Sequence, residues 1–288
     1  MDIIVTLLIN GFAEGALIFL MASGLSIILG LMGVVNFTHG TLFLWGGYVF
    51  IWIYHMTGSF ILGILAAIVV VFLLGIFFEK LFVSRVYGNV PAQILITLGL
   101  QVIFTDLVRL FWGATPIAVL RPDFLSGTTV IGGVTIVHYR IFLIAVGLVV
   151  ALGIHFLLNR TKVGMVIRAG VQRPDMVQAL GKNIRLYFTL VFAGGAALAG
   201  LGGALYAPLV GNMVSTAGVY NQILAFIVVV VGGMGSFIGS AMGSIFLGLM
   251  GAIIGWYAPS LAVVANVTLM ALVLAFKPQG LFGLAVKK

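Results

Sequence analysis

The sequence predicts an all-α integral membrane protein, a polytopic helical bundle of about 8–9 spans with interrupted helices. Of its 288 residues, 62% are apolar and only 7% are charged, whereas a soluble domain carries about 25% charged residues. So few charges cannot cover the surface of a soluble enzyme of this size. The apolar residues also form continuous runs, and a membrane β-barrel would instead show alternating polar and apolar positions.

Nine apolar runs, each bounded by charges, proline or polar clusters, are the predicted spans. They cover residues 4–30, 40–57, 60–79, 91–111, 139–158, 186–207, 221–232, 239–256 and 259–276. The run 221–232 is too short for a full crossing and predicts a half helix. The first run lacks a basic leading segment, so we expect a true span rather than a signal peptide. We therefore expect one transmembrane domain over residues 1–288.

Positive charge predicts the orientation. Eleven of the 14 Lys and Arg residues fall on one side: Lys80, Arg85, Arg160, Lys162, Arg168, Arg173, Lys182, Arg185, Lys277, Lys287 and Lys288. Cytoplasmic loops carry this excess, which places the N-terminus outside and the C-terminus in the cytoplasm. The net charge of +8 then reflects these loops and not a nucleic-acid partner. On the opposite side, residues 129–136 predict a β-hairpin with a Gly-Gly turn.

The residues needed for most enzyme chemistry are missing. Cysteine is absent, so there is no thiolate nucleophile or thiolate metal site. The segment Gly181-Lys182-Asn183 lacks the Ser or Thr of a phosphate-binding loop. The four histidines are scattered: His39, His55, His138 and His155. We therefore predict a non-catalytic chain with no metal or cofactor site of its own.

Polar residues within the apolar runs, or at membrane depth between the first two, are candidates for a translocation pathway, because polar groups are costly in lipid. These candidates are Glu14, Asn36, Thr38, His39 and Thr41. Glu14 lies one helical turn after Asn10, which can hydrogen-bond to it. Glu14 is either a proton or substrate-amine site or a paired group that fixes helix packing. The histidine cluster likewise admits a gating role or a packing role. Asp106 and Arg109 predict a local ion pair.

Two segments resemble each other, residues 30–43 and 232–246, each with a Gly-Met-Gly type break between apolar runs. Glycine-interrupted segments in corresponding halves are typical of transport pathways. We therefore predict an internal repeat, with two unrelated tight turns as the alternative.

The basic segment 159–185 predicts a cytoplasmic element between two spans. Pro174-Asp175 can begin a short helix and Gly181 can end it. Such a helix suits the docking of a soluble partner, and a basic loop touching anionic lipid is the alternative.

An ordered series of motifs resembles the LivH branch of the branched-chain amino acid ABC importer permeases. The motifs are Asn10-Gly11, residues 24–30, Val35-Asn36-Phe37-Thr38-His39-Gly40, the loop 164–181, residues 196–200, residues 231–236 and residues 278–283. The resemblance implies an ABC importer permease fold in a bacterial inner (plasma) membrane, with a LivM-like second permease subunit and surrounding membrane lipid. It also implies two ATPase subunits that hold ATP and Mg, and an external solute-binding protein that delivers a small-molecule solute. The implied solute is an amino acid, with branched-chain ones favoured.

The same resemblance assigns the segment 159–185 as the loop that couples the permease to its ATPase. The matching residues are Gly164, Arg168, Ala169, Pro174, Asp175, Ala179, Leu180 and Gly181.

Several positions depart from the family pattern, namely Glu14, Thr38, Met165, Lys182 and the stretch 79–85. They leave the solute open between branched-chain amino acids, other amino acids, urea and short amides. One alternative function is a self-contained channel or proton-coupled secondary transporter that uses Glu14 and His39. Another is a membrane scaffold without transport.

Overall fold

The computed structural model describes residues 2–172, 174–277 and 279–282, with the backbone alone at positions 171, 172, 174, 175, 262 and 263. Within these residues the chain forms twelve α-helices: α1 Asp2–Met32, α2 His39–Thr57, α3 Phe60–Leu81, α4 Val90–Trp112, α5 Asp123–Ser126, α6 His138–Arg160, α7 Lys162–Gln172, α8 Pro174–Ala179, α9 Ile184–Val210, α10 Ala217–Gly232, α11 Phe237–Tyr257 and α12 Ala262–Phe276. Two 3-10 turns, Val83–Val86 and Pro259–Leu261, follow α3 and α11. Four short strands lie between helices: β1 Ile117–Ala118, β2 Thr128–Ile131, β3 Val134–Val137 and β4 Asn212–Met213.

Six of these helices are long and apolar enough to cross a membrane, namely α1, α3, α4, α6, α9 and α11. The apolar helices α10 and α12 are shorter, and α2 has 19 residues. In the described part of the chain, these nine helices correspond one to one with the nine predicted runs. The fold class, a polytopic helical membrane protein, is therefore confirmed.

Helices α1 and α9 are both interrupted in the same way. Each ends on a glycine with positive φ, Gly33 (63°) and Gly211 (87°), a backbone conformation that glycine adopts without a steric penalty. Thr38 and Thr216, five residues later, are the N-caps of α2 and α10. The first break therefore covers residues 33–38 and the second covers residues 211–216. The two breaks therefore have the same length and the same bounding residue types.

The similarity extends to α3 and α11, the helices that follow α2 and α10. The sequence Gly-Ser-Phe-Ile occurs at 58–61 and at 235–238. Ser59 and Ser236 are the N-caps of α3 and α11, and each side chain accepts a hydrogen bond from the third helical residue. The predicted internal repeat is present, but in a different register from the predicted pairing of 30–43 with 232–246. Those two segments instead touch each other, with Gly30 against Gly235.

The two repeats, α1–α3 and α9–α11, run in opposite directions through the bundle. Gly24 on α1 contacts Gly195 on α9, and Leu20, one turn earlier, lies near Gly202. The two helices are therefore antiparallel. Helix α1 also packs against α11, as α9 packs against α3. The structure is thus an inverted repeat, an arrangement typical of transporters.

Glycines set the distance between the central helices. A Cβ added to Gly203 on α9 would overlap the carbonyl oxygen of Phe43 on α2, and one added to Gly46 would overlap the backbone of Gly200. The helices therefore meet backbone to backbone, which is how small residues stabilise helix pairs in lipid.

The two ends of the bundle differ. At one end, β2 and β3 form the predicted hairpin, which contacts the first residues of α1, and β1 pairs with β4. At the other end lie α7, α8 and the C-terminal segment, where the backbone N–H of Leu281 donates to the Val231 oxygen (2.7 Å). The described ends of the chain therefore lie at opposite ends of the bundle, as predicted. Which end is cytoplasmic stays a prediction.

Candidate functional site

A polar cluster lies where the break after α1 leads into α2. The His39 Nε2 atom lies 2.9 Å from the Met21 carbonyl oxygen, so Nε2 carries the proton and donates. The Asn36 Oδ1 atom accepts from the Thr38 backbone N–H (3.0 Å) and from its hydroxyl (2.5 Å). All three predicted residues are fully buried. The break is therefore held by side chains within the protein, which unwound backbone requires at membrane depth.

The first turn of α2 meets the first turn of α10. The Gly40 N–H donates to Gln222 Oε1 on α10 (2.9 Å), and Gly40 and Gly218 touch through their backbones. Amides in the first turn of a helix have no partner within the helix, so Gln222 supplies one. Gln222 is absent from the predicted site, although the two amide side chains at the start of the apolar run 221–232, Asn221 and Gln222, are a signal that could have found it.

We expect Gln222→Leu to destabilise the chain by about 1–3 kcal/mol, because a buried N–H at the start of α2 loses its partner. The measurement is the thermal unfolding midpoint of the purified protein in detergent. Asn221→Leu is the matched control, since the Asn221 side chain bonds to Ala217 on its own helix and to Tyr206 on α9 and, among the described residues, has no hydrogen bond to the start of α2. Equal losses in the two variants would contradict this role for Gln222.

Thr41 extends the cluster towards α4. It is 1% exposed, and its hydroxyl lies 3.3 Å from the Thr105 hydroxyl and 3.4 Å from the Gln101 carbonyl oxygen. The side-chain oxygen of Gln101 is buried and has no hydrogen-bond partner in the described structure. An unpartnered buried acceptor is costly, so this amide is available to a ligand or water.

The cluster reaches the surface of the chain in a groove of about 410 Å³ between α4, α10 and α12, with Phe37, Gln101, Gln222 and Phe226 in its lining. The ring centroids of Phe37 and Phe226 are 5.2 Å apart. The predicted residues Asn36, Thr38 and His39 lie behind this surface and are not in the groove lining. The groove residues Phe37, Gln101, Gln222 and Phe226 were therefore missed by the sequence analysis.

Glu14 lies apart from this cluster. It is partly buried on α1 and interacts electrostatically with Arg140 at the start of α6 and with Tyr220 on α10. No hydrogen bond joins it to Asn10 among the described residues. Glu14 interacts with Arg140 and Tyr220, whereas His39 bonds to Met21, so the structure does not bring these two predicted residues together.

Side chains of α4 form hydrogen bonds with both breaks. Near its start, Gln93 accepts a hydrogen bond from the Val35 N–H (3.3 Å) and donates to the Val86 oxygen (3.2 Å). Near its end, Arg109 donates to the Ser215 hydroxyl (3.2 Å) and pairs with Asp106 (2.9 Å). The Asp106–Arg109 ion pair is thus confirmed, and its arginine also fixes the second break.

The segment 159–185 contains two helices. The predicted short helix is present as α8, and α7 before it was not predicted. Gly164 packs on the last turn of α6, and Arg168 donates to the Leu158 carbonyl oxygen there and to Asn159 Oδ1. Gly164 and Arg168 thus contact their own chain. The side chains of Pro174 and Asp175, and the whole of Arg173, lie outside the described residues.

The remaining residues of the predicted coupling set face away from the bundle. Ala169, Ala179, Leu180 and Gly181 are all exposed, and 79% of the Leu180 side chain is accessible. Met176, one helical turn before Leu180, is also 58% exposed, and neighbouring exposed apolar side chains are typical of a surface that another protein covers. No group of three or more metal-ligating side chains occurs among the described residues.

A family model and several curated proteins match this chain in sequence. The family described as "Branched-chain amino acid transport system / permease component" matches residues 7–276. Two curated proteins are 27% identical over 290 aligned positions: the high-affinity branched-chain amino acid transport system permease proteins BraD of Pseudomonas aeruginosa and LivH of Escherichia coli K12. These matches cover 96% and 95% of this chain, and 94% of each relative.

A solved structure, PsaBC from Streptococcus pneumoniae in complex with Fab, is similar in fold. It matches with a TM-score of 0.51 at 14% identity, and the match covers 94% of this chain and 91% of that one.

Proposed function

This chain belongs to the permease component family of branched-chain amino acid transport systems, and from that premise we propose that it is one membrane subunit of an ATP-driven importer. The observation that carries the proposal is that the family match runs from residue 7 to residue 276. It thus includes both breaks, the groove and α8. Its substrate would be an amino acid, with branched-chain amino acids favoured because the curated relatives are named for them.

The groove supports a pathway shared with a second permease subunit. It lies on the outer surface of the bundle, between α4, α10 and α12, where a second chain packed against this one would close it. Gln101 and Gln222 offer amide groups there, and Phe37 and Phe226 form an apolar wall. This mixture suits a small solute with both polar and apolar parts.

The exposed tip of α8 supports coupling to an ATPase. Leu180 and its small neighbours Ala179 and Gly181 project from the end of the bundle that carries α7 and α8. We place this end in the cytoplasm by the positive-inside rule, in a bacterial inner membrane. Two ATPase subunits would supply ATP and Mg there, and an external binding protein would deliver the solute at the hairpin end. This chain would itself be non-catalytic.

The test begins with isolation of the tagged chain from its native membranes in mild detergent, followed by mass spectrometry of the bound proteins. We expect a second permease and an ATPase. The complex, rebuilt in liposomes, should take up labelled leucine only with ATP and a binding protein. A parallel uptake series with other amino acids, urea and short amides identifies the solute. Isolation of the chain alone, with transport that needs no ATP, would overturn the proposal in favour of a channel or secondary transporter.

A further inference from the structure

A second cavity, of about 720 Å³, opens at the end of the bundle that carries α8. It lies between the last turn of α3, the 3-10 turn after it, α8 and the start of α9. Three cations line it, Lys80, Arg85 and Arg185, and all three are exposed. The cavity is therefore strongly basic at its rim, and neither the groove nor the Leu180 tip uses it.

One acidic residue, Glu79, also lines the cavity, and both of its carboxylate oxygens already accept hydrogen bonds. Glu79 is 2% exposed. It accepts hydrogen bonds from the Tyr87 hydroxyl (2.5 Å) and the Thr189 hydroxyl (2.6 Å), one on each carboxylate oxygen. Burial and this hydrogen bond raise the pKa of Tyr87, so Tyr87 remains a donor. Glu79 thus ties the 3-10 turn region to α9 and leaves the cations at the rim unpaired with it.

The start of α9 adds further positive potential. This helix of 27 residues begins at the cavity, where Asn183, Ile184, Arg185 and Leu186 all belong to the lining. The N-terminal end of a helix carries a partial positive charge and attracts anions. Two independent features, the cations and the helix terminus, therefore favour a negatively charged ligand.

The position of the cavity favours a lipid ligand. Lys80 lies in the last turn of the apolar helix α3, and Arg185 lies in the first turn of α9. Both are thus at the boundary of a membrane-spanning segment, where phospholipid headgroups lie. The next apolar positions of α9, Leu186 and Leu190, are 52% and 43% exposed and can contact an acyl chain.

We infer that this cavity binds a phosphate group at the membrane surface, supplied by an anionic phospholipid such as phosphatidylglycerol. Basic pockets between transmembrane helices bind anionic headgroups in this way. The inference does not depend on the solute or on the ATPase.

The experiment compares the full chain with two triple variants. One neutralises the rim, Lys80→Gln with Arg85→Gln and Arg185→Gln. The other neutralises three cations outside the cavity lining at the same end of the bundle, Arg160→Gln with Lys162→Gln and Lys182→Gln. Native mass spectrometry counts retained phosphatidylglycerol, and the thermal midpoint is measured with phosphatidylglycerol, with phosphatidylcholine and with inorganic phosphate.

We expect the rim variant to lose phosphatidylglycerol affinity by about fivefold for each cation removed, while the control variant retains it. Stabilisation of the wild-type chain by phosphatidylglycerol but not by inorganic phosphate identifies the lipid as the source. Equal stabilisation by both, lost in the rim variant, supports the phosphate site with a soluble source.

Two results would overturn the inference. One is equal lipid retention by the rim variant and the wild-type chain. The other is loss of a bound ATPase from the rim variant while phosphatidylglycerol is retained, which would make the cavity part of a protein interface.

Discussion

The variant Gly203→Val should prevent stable folding of the chain. Its Cβ would overlap the Phe43 carbonyl oxygen, and the neighbouring backbone nitrogen of Gly47 lies about as close as any van der Waals contact allows. Backbone atoms cannot rotate away as a side chain can, so α2 and α9 must separate. Overpacking a core usually destabilises the folded state by about 1–3 kcal/mol. We expect a larger destabilisation here. The measurements are the yield of folded protein after detergent extraction and its thermal midpoint.

The same helix offers the control. Gly194 also lies on α9, and a Cβ added there meets no atom within 4 Å. Gly194→Val carries the same helix-propensity and side-chain change as Gly203→Val, so we expect near-wild-type yield. A Gly203→Val protein as stable as Gly194→Val would show that α2 and α9 do not pack at backbone contact.

The variant Leu180→Asp should abolish ATP-driven uptake while the chain folds normally. Leu180 is 79% exposed, so the substitution removes little internal packing. At a protein interface, a charge in place of an apolar anchor costs about 2 kcal/mol or more, which is at least about 30-fold in affinity. We expect the ATPase to be missing from complexes isolated with the variant, and the thermal midpoint of the chain alone to be unchanged.

Leu120→Asp provides the matched control. Leu120 is 81% exposed and follows β1 at the hairpin end of the bundle, so the same chemical change is made at the opposite end. This variant should retain its ATPase. Normal ATPase recovery with Leu180→Asp, or equal loss with Leu120→Asp, would remove α8 from the coupling role.

Local pattern was sufficient for most of the fold. The nine apolar runs became nine helices because each run is long, apolar and bounded by polar or breaking residues. The hairpin at 128–137 followed from its Gly-Gly turn. Helix α10 begins at Ala217 and not at residue 221, because Asn221 and Gln222 look like a polar boundary although one of them is a buried hydrogen-bond partner. Helix α7 was missed because its charges resemble a loop.

The site was only partly predictable, since its connections are long range. Asn36, Thr38 and His39 stand out because they are polar in an apolar context. The residues around them cannot be identified in this way. Gln222, for example, accepts a hydrogen bond from the Gly40 N–H but lies far from Gly40 along the chain. Arg140 as the charge near Glu14, and Gln93 and Arg109 as the anchors of the breaks, likewise depend on contacts between distant helices. The repeat was detectable in the sequence, but similar Gly-Met-Gly segments favoured the wrong register.

The attachment of both breaks to α4 has a mechanical consequence. Gln93 and Arg109 attach to the first and second breaks from positions about 24 Å apart along one continuous helix. A helix is stiff over this length, so a tilt that draws one anchor inward swings the other outward. We therefore expect any rigid-body tilt of α4 to move the two breaks in opposite directions.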